Sequence, residues 1–124
     1  GHTAMADPFD ARLRKLLFET AGELGYRAHD GGTMVTIEGP RFSTRAESHM
    51  FRTLGGDVIN MSVATEAALA NEAAIPYAVV AMSTDYDCWK ADEAPVTWDE
   101  ILAVFNENAS KVKNLLAEVI PKIK

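Results

Sequence analysis

The sequence predicts an α/β fold with three layers, in which a mostly parallel sheet is flanked by helices. Segments with apolar residues at helical spacing alternate with short apolar or β-branched runs along the whole chain. This alternation is typical of parallel strands that are connected by helices. One run, Tyr77 to Met82, is continuously apolar, as in a strand covered on both faces. The 124 residues contain no internal repeat and are expected to form one unit.

The first helix and the first strand are predicted from local signals. Asp7 and Pro8 precede a series of leucines at helical spacing that ends at Gly25. A capping side chain, a proline in the first turn and a terminal glycine are typical of a helix. The β-branched segment Thr33 to Ile37 then predicts a short strand.

The second helix and the second strand follow. Ser43 or Thr44 is expected to cap a helix that continues to about Leu54. Glu47 lies three residues after Thr44, the spacing at which two side chains cap each other's backbone N–H groups. Apolar residues at positions 58, 59 and 61 predict a short buried strand.

The remaining elements are two helices and the apolar run already named. An alanine-rich segment, Thr65 to Ala74, predicts the third helix. The third strand is Tyr77 to Met82. Thr97 is expected to cap the last helix with Glu100, and this helix is expected to end near Pro121.

The composition excludes several classes of function. The net charge is -6, from 12 basic and 18 acidic residues, which argues against binding to nucleic acid or to an anionic membrane. Cys88 is the only cysteine, so neither an internal disulfide nor a cysteine pair for zinc is expected, and no other metal motif is present. No apolar run approaches the ~20 residues of a membrane helix, and no signal peptide is evident. A reducing cytosol is the expected location.

Three segments are expected to carry the chemistry, because ligands of open α/β sheets bind beyond the carboxyl ends of the strands. These segments are Glu38 to Ser43, Asn60 to Ser62 and Ser83 to Asp87.

Asp85 and Asp87 form the strongest candidate. A partly buried carboxyl group beside a second one tends to have a raised pKa and to hold a proton. One such group donates to a ring nitrogen while the other accepts from an exocyclic amine, so the pair suits a 6-aminopurine and acid assistance to a departing base. The alternative is a turn in which either aspartate caps the backbone that follows.

Phe42 and Ser43 are weaker candidates. Phe42 is suited to stacking on a base and Ser43 to hydrogen bonding it, but core packing and helix capping are the commoner roles of these residue types. Nearby charged residues are expected to form ion pairs that position loops. They are Arg41, Arg45, Arg52, Glu38, Glu47 and Asp57.

Four segments, in this order, carry the most specific pattern in the chain. They are MADPFD (5–10), GTMVTIEGPRFSTRAES (32–48), GGDVINM (55–61) and AMSTDYDCWK (81–90). Together they resemble the C-terminal part of the 5'-methylthioadenosine phosphorylase family, which belongs to the nucleoside phosphorylases. The resemblance covers essentially the whole chain. It implies that residues 1–124 are the C-terminal part of a nucleoside phosphorylase domain whose N-terminal, phosphate-binding half is absent from this chain.

The resemblance also implies a reaction. Phosphate, the co-substrate, attacks C1' of 5'-methylthioadenosine and gives adenine and 5-methylthioribose 1-phosphate, a step of purine and methionine salvage. No metal or organic cofactor is implied. The implied partners are the N-terminal half of the enzyme as a separate chain and two further copies in a cytoplasmic homotrimer.

Position by position, the resemblance implies roles for the candidate residues. Asp85 is the catalytic acid that faces N7, and Asp87 supports recognition of the 6-amino group. Phe42 and Ser43 line the base pocket. Met61 lies under the ribose.

Three further roles are implied by the same resemblance. Ser62 contacts phosphate, Thr84 borders the pocket for the 5'-thio group, and His2 reaches the 5' pocket of a neighbouring subunit. The turn at residues 61–66 has the sequence MSVATE, whereas the family commonly has MTTVPE. Two other functions remain open: a phosphorylase that prefers methylthioinosine or another purine nucleoside, and a non-catalytic interaction module.

Overall fold

The computed structural model describes residues 1–90, 92 and 97–124. The helices are α1 (Ala11–Glu23), α2 (Arg45–Thr53), α3 (Val63–Glu72) and α4 (Trp98–Val119). The strands are β1 (Met34–Thr36) and β2 (Val58–Asn60), and a 3₁₀ turn, Ile120–Lys122, follows α4. Helices and strands therefore alternate as predicted up to α3.

The two strands pair in parallel. Met34 lies opposite Val58, and Thr36 lies opposite Asn60. Because the strands are parallel, their carboxyl ends meet at one edge, from which the segments after both strands emerge. The α/β class and the parallel pairing are confirmed.

The prediction of a third strand was wrong. Tyr77 to Met82 has no strand structure, and in the described part of the chain its backbone receives one hydrogen bond, from the Asp10 N–H to the Tyr77 carbonyl at 2.7 Å. The segment is also not covered on both faces, since Val80 is 37% exposed. A strand requires ladder hydrogen bonds to a neighbour, and no described segment supplies them.

The helix starts follow local capping chemistry. Asp10, and not the predicted Asp7, caps α1 by accepting from the Leu13 N–H at 2.8 Å. The predicted reciprocal cap between Thr44 and Glu47 is present at the start of α2.

The last two helices differ in how they begin. Thr97 and Glu100 form the predicted reciprocal cap of α4. Helix α3 begins at Val63, two residues before the predicted Thr65, because Asn60 caps its first turn.

The buried residues lie in two places. Ala21, Leu115 and Val119 form a core between α1 and α4, and partly buried residues of α1 pack against it. Ile37 and Val63 are buried beside the sheet. The edge of the sheet from which the candidate segments emerge is therefore separate from the α1–α4 core.

Candidate active site

The side chain of Asn60 stabilises the turn between β2 and α3 by hydrogen bonds. Its Oδ1 accepts from the backbone N–H groups of Ser62 (3.0 Å) and Val63 (2.8 Å). Its Nδ2 donates to the Val35 carbonyl at 3.0 Å, and the Thr36 hydroxyl donates to its Oδ1 at 3.2 Å. Asn60 therefore ties this turn to both strands. Its role was missed in the sequence, although asparagine is a preferred capping residue.

Met61 and Ser62 project from this turn. Ser62 is exposed and makes no side-chain capping bond to α3, so its hydroxyl is available to a ligand. Met61 is 42% exposed, and its Sδ lies 2.9 Å from the position of a Cβ on Gly39. The contact with Gly39 places Met61 beside the connection between β1 and α2.

Phe42 lies in that connection and points away from the core. It is 68% exposed, which excludes the core-packing role for this residue in the described chain. An exposed phenyl face is available to stack on a flat ring.

A bidentate ion pair joins the connection between β1 and α2 to α2 itself. Arg41 Nη1 and Nη2 donate to Glu47 Oε2 and Oε1 at 2.8 and 2.7 Å. The hydrogen bonds from Arg41, followed by that from the Thr44 N–H, lower the pKa of Glu47 to about 2. The same carboxylate raises the pKa of Arg41. This pair matches the expectation that charged residues here position a loop.

Ser43 is not the cap of α2, since Thr44 has that role. The Ser43 Oγ is buried and has no hydrogen-bond partner in the described chain. Its carbonyl accepts from the Cys88 thiol, with the sulfur at 3.3 Å. This bond brings the segment after β1 against the segment that carries Asp87.

The two aspartates have different surroundings. Asp85 is exposed, and its Oδ1 accepts from the Thr84 hydroxyl at 2.6 Å. Asp87 is half-buried, and its Oδ2 is buried without a partner among the described residues. No described backbone N–H donates to either carboxylate, so the turn-capping alternative finds no support among the described residues.

Two arginines of α2 contact the same loop, and neither forms an ion pair with another described residue. Arg45 Nη1 donates to the Cys88 carbonyl at 2.8 Å, and the Arg52 guanidinium carbon lies 3.6 Å from the centre of the Trp89 ring. The expectation of ion pairs for Arg45 and Arg52 was therefore wrong, although both do position a loop.

The three candidate segments thus meet at one place. Gly39 contacts Met61, and Ser43 contacts Cys88. Ser43 Oγ and Asp87 Oδ2, in these segments, are buried without a partner among the described residues. Because buried polar atoms in proteins nearly always have a partner, these two oxygens indicate a site for a polar ligand. Ser48 Oγ, on α2, is also buried without a partner among the described residues.

His2 is not part of this cluster. It is exposed, and no hydrogen bond or ion pair joins it to the other described residues. Among the side chains that the structure describes, no three of His, Cys, Asp or Glu are grouped as in a metal site. No helix in residues 1–90, 92 and 97–124 is both long enough and apolar enough to cross a bilayer.

A shallow cavity of about 210 Å³ lies elsewhere, between α1 and the residues that follow α4. Arg12, Lys15 and Lys122 are among the residues that line it. It contains none of the candidate residues and no unpaired buried atom. We therefore place the site at the three segments and not in this cavity.

The chain is similar to one family of proteins along nearly its whole length. The model of the phosphorylase superfamily matches residues 1–121. The S-methyl-5'-thioadenosine phosphorylase of Danio rerio is 53% identical over 122 residues, which is 98% of this chain and 44% of the relative. The chain thus spans less than half the length of this relative.

Solved structures agree with this relationship. A double mutant of the adenosine/methylthioadenosine phosphorylase from Schistosoma mansoni, in complex with adenine, matches with a TM-score of 0.92 and 36% identity. The match covers 98% of this chain and 49% of that one. A single mutant of the same enzyme in complex with methylthioadenosine has a TM-score of 0.88 at 36% identity, covering 98% and 47% of the two chains. On the family model, the relative and these structures, the chain belongs to the phosphorylase superfamily.

Proposed function

We propose that this chain supplies the base and ribose side of the active site in an S-methyl-5'-thioadenosine phosphorylase. The observation that carries the proposal is the pair of oxygens, Ser43 Oγ and Asp87 Oδ2, which are buried without a partner among the described residues, together with the exposed ring of Phe42, next to Ser43 in the chain. An adenine ring complements all three. It offers a face for stacking, an amino group that donates to a carboxylate and ring nitrogens that accept from a hydroxyl.

The proposed reaction is phosphorolysis. A phosphate oxygen attacks C1' while the bond from C1' to N9 breaks and its electron pair passes to the base. Asp85 donates a proton to N7 and makes adenine a better leaving group. The Thr84 hydroxyl holds Asp85 Oδ1 at 2.6 Å, which leaves Oδ2 for that proton.

Other residues are proposed to hold the rest of the substrate. Met61 lies under the ribose, and Ser62 binds phosphate with the hydroxyl that α3 does not use. Thr84 borders the 5'-thio group. His2 reaches the site of a neighbouring subunit. Phosphate is a co-substrate, and no cofactor is required.

The remaining phosphate contacts are proposed to come from the N-terminal half of the enzyme, as a separate polypeptide. The match covers 44% of the S-methyl-5'-thioadenosine phosphorylase of Danio rerio, so more than half of that relative lies outside it. The complete unit is proposed to be a cytoplasmic homotrimer that functions in purine and methionine salvage.

A preference for a 6-amino base is proposed from Asp87 Oδ2, which has no partner among the described residues. A 6-oxo purine would place a carbonyl against this acceptor and leave both without a donor. Methylthioadenosine is therefore proposed as a better substrate than methylthioinosine.

The first experiment is purification from the native cell through a tag on this chain, followed by intact mass measurement and an assay for adenine release. We expect a second polypeptide to co-purify and adenine to appear when methylthioadenosine and phosphate are both present. Omission of phosphate is the control. If both polypeptides are present and no base is released, the proposal is contradicted and a non-catalytic interaction module is favoured. Faster turnover of methylthioinosine contradicts the assignment of the base.

A further inference from the structure

Two arginines on one face of α2 hold the loop that carries Asp85 and Asp87. Arg45 and Arg52 are seven residues apart, which is about two helical turns, so their side chains lie on the same side of the helix. None of the roles assigned above to the reaction belongs to either arginine.

Their contacts reach the loop at two adjacent residues. Arg45 Nη1 donates to the Cys88 carbonyl at 2.8 Å. The Arg52 guanidinium carbon lies 3.6 Å from the centre of the Trp89 ring. Indole is the best aromatic partner for a cation, and the planar guanidinium also stacks on it. The loop is therefore attached to α2 immediately after Asp87.

Ring packing extends this attachment to the residue before Asp87. Tyr86 and Trp89 meet edge to face, with ring centres 5.9 Å apart and planes at 84°. The Lys90 N–H donates to the Asp87 carbonyl at 3.3 Å and closes the turn. Asp87 is thus held from both sides through its backbone, while its Oδ2 has no partner in the described chain.

We propose that Arg45 and Arg52 are positioning residues for the two carboxylates, with the Arg52–Trp89 stack as the main attachment. The inference rests on the proposed function, because the position of the carboxylates matters to catalysis only if they bind the purine. Asp87 Oδ2 has no partner among the described residues, and Asp85 accepts from its chain neighbour Thr84, so both carboxylates take their positions from the backbone of the loop. Loosening the stack therefore displaces the carboxylates without changing their chemistry, and small displacements lower rates steeply.

The test is Arg52→Met in the complete protein. Methionine keeps an apolar stem over the ring but removes the cation. We expect kcat for methylthioadenosine to fall roughly 10- to 100-fold with a smaller change in KM, and amide hydrogen exchange over residues 84–90 to accelerate. Arg52→Lys keeps a cation, so its kcat and its amide hydrogen exchange are both expected to lie between those of Arg52→Met and the wild type. Trp89→Leu removes the other half of the stack and is expected to resemble Arg52→Met.

The matched control is Arg14→Met on α1, which removes an arginine paired with Asp30 and is expected to change neither measurement. The inference is overturned if amide hydrogen exchange over residues 84–90 is the same in Arg52→Met as in the wild type. It is also overturned if the two proteins have equal kcat. A wild-type protein that releases no adenine contradicts the proposed function instead. In that case the rate of amide hydrogen exchange over residues 84–90 in Arg52→Met still decides whether the stack holds the loop.

Discussion

Asp85 and Asp87 are two residues apart but differ in their surroundings. The carboxylate of Asp85 is exposed and accepts from its neighbour Thr84, whereas one oxygen of Asp87 is buried without a partner in the described chain. Such a difference separates the roles of paired carboxyl groups in many active sites. At the scale of the residue, the two carboxyl groups are therefore expected to have different roles, and substitution of Asp85 tests its proposed role as the acid.

Asp85→Asn is expected to reduce kcat by about 10²- to 10⁴-fold, the usual contribution of a general acid. An asparagine at this position keeps the size of the side chain and accepts from Thr84, but it has no acidic proton. Steady-state kinetics with methylthioadenosine and saturating phosphate measure the effect. Asp57→Asn, outside the cluster, is the comparison, and an unchanged rate in Asp85→Asn removes this residue as the acid.

The ion pair of Arg41 and Glu47 leads to a second prediction, about how the stability of the folded state depends on pH. Because the pKa of Glu47 is lowered from 4.5 to about 2, its carboxylate stabilises the folded state fully above about pH 4.5. This contribution is lost as the pH falls from about 4.5 towards about 2. The urea midpoint of Glu47→Gln is expected to lie below that of the wild type near neutral pH and to converge with it across this range. Glu19→Gln is the control, and a difference independent of pH contradicts the assignment.

At the scale of the element, α2 connects two of the candidate segments. Its first turn is capped by Thr44, directly after Ser43, and Arg45 and Arg52 contact the loop at residues 88 and 89. The start of this helix therefore affects both the stability of the fold and the geometry of the site. Helix α4 has the same type of cap at Thr97 but packs mainly on α1 and the 3₁₀ turn that follows it.

Thr44→Ala and Thr97→Ala are expected to lower the free energy of unfolding by about 1 kcal/mol each, since each removes a side-chain cap. Only Thr44→Ala is expected to weaken adenine binding as well. Chemical denaturation and calorimetric titration with adenine measure the two effects. Equal adenine affinity in both variants contradicts the link between α2 and the site.

At the scale of the whole molecule, the core and the candidate site are separate. The core of Ala21, Leu115 and Val119 joins α1 to α4, whereas the site is formed by loops that contact α2 and the edge of the sheet. Changes in the core are therefore expected to affect stability without changing the chemistry of the protein that remains folded.

Leu115→Ala is expected to cost about 2–5 kcal/mol of unfolding free energy, because Leu115 is only 5% exposed and its truncation leaves a cavity. Leu116→Ala is the matched control one position away. Leu116 is 41% exposed, so the loss is expected to be smaller. Thermal or urea unfolding measures both, together with kcat at a temperature where each variant is folded. A large fall in kcat for folded Leu115→Ala contradicts the separation of core and site.

Local interactions in the sequence determined much of this structure. The reciprocal caps of Thr44 with Glu47 and of Thr97 with Glu100 join residues three positions apart, so spacing alone predicts them. The α/β class and the resemblance to the phosphorylases follow from motifs of the same local kind. The start of α3 was not predicted. It depends on Asn60, at the end of β2, whose side chain bonds to Val35 of β1 as well as to Val63 of the helix.

The tertiary structure decided what depends on distant neighbours. Tyr77 to Met82 is apolar enough for a strand, but strand structure requires ladder partners that no described segment supplies. Arg45 and Arg52 lie far along the chain from Cys88 and Trp89, so charge patterning predicted ion pairs where the fold places a carbonyl and an indole ring. The unpaired oxygens of the site likewise become visible only after folding, since burial and the lack of a partner are properties of the surroundings and not of the residue.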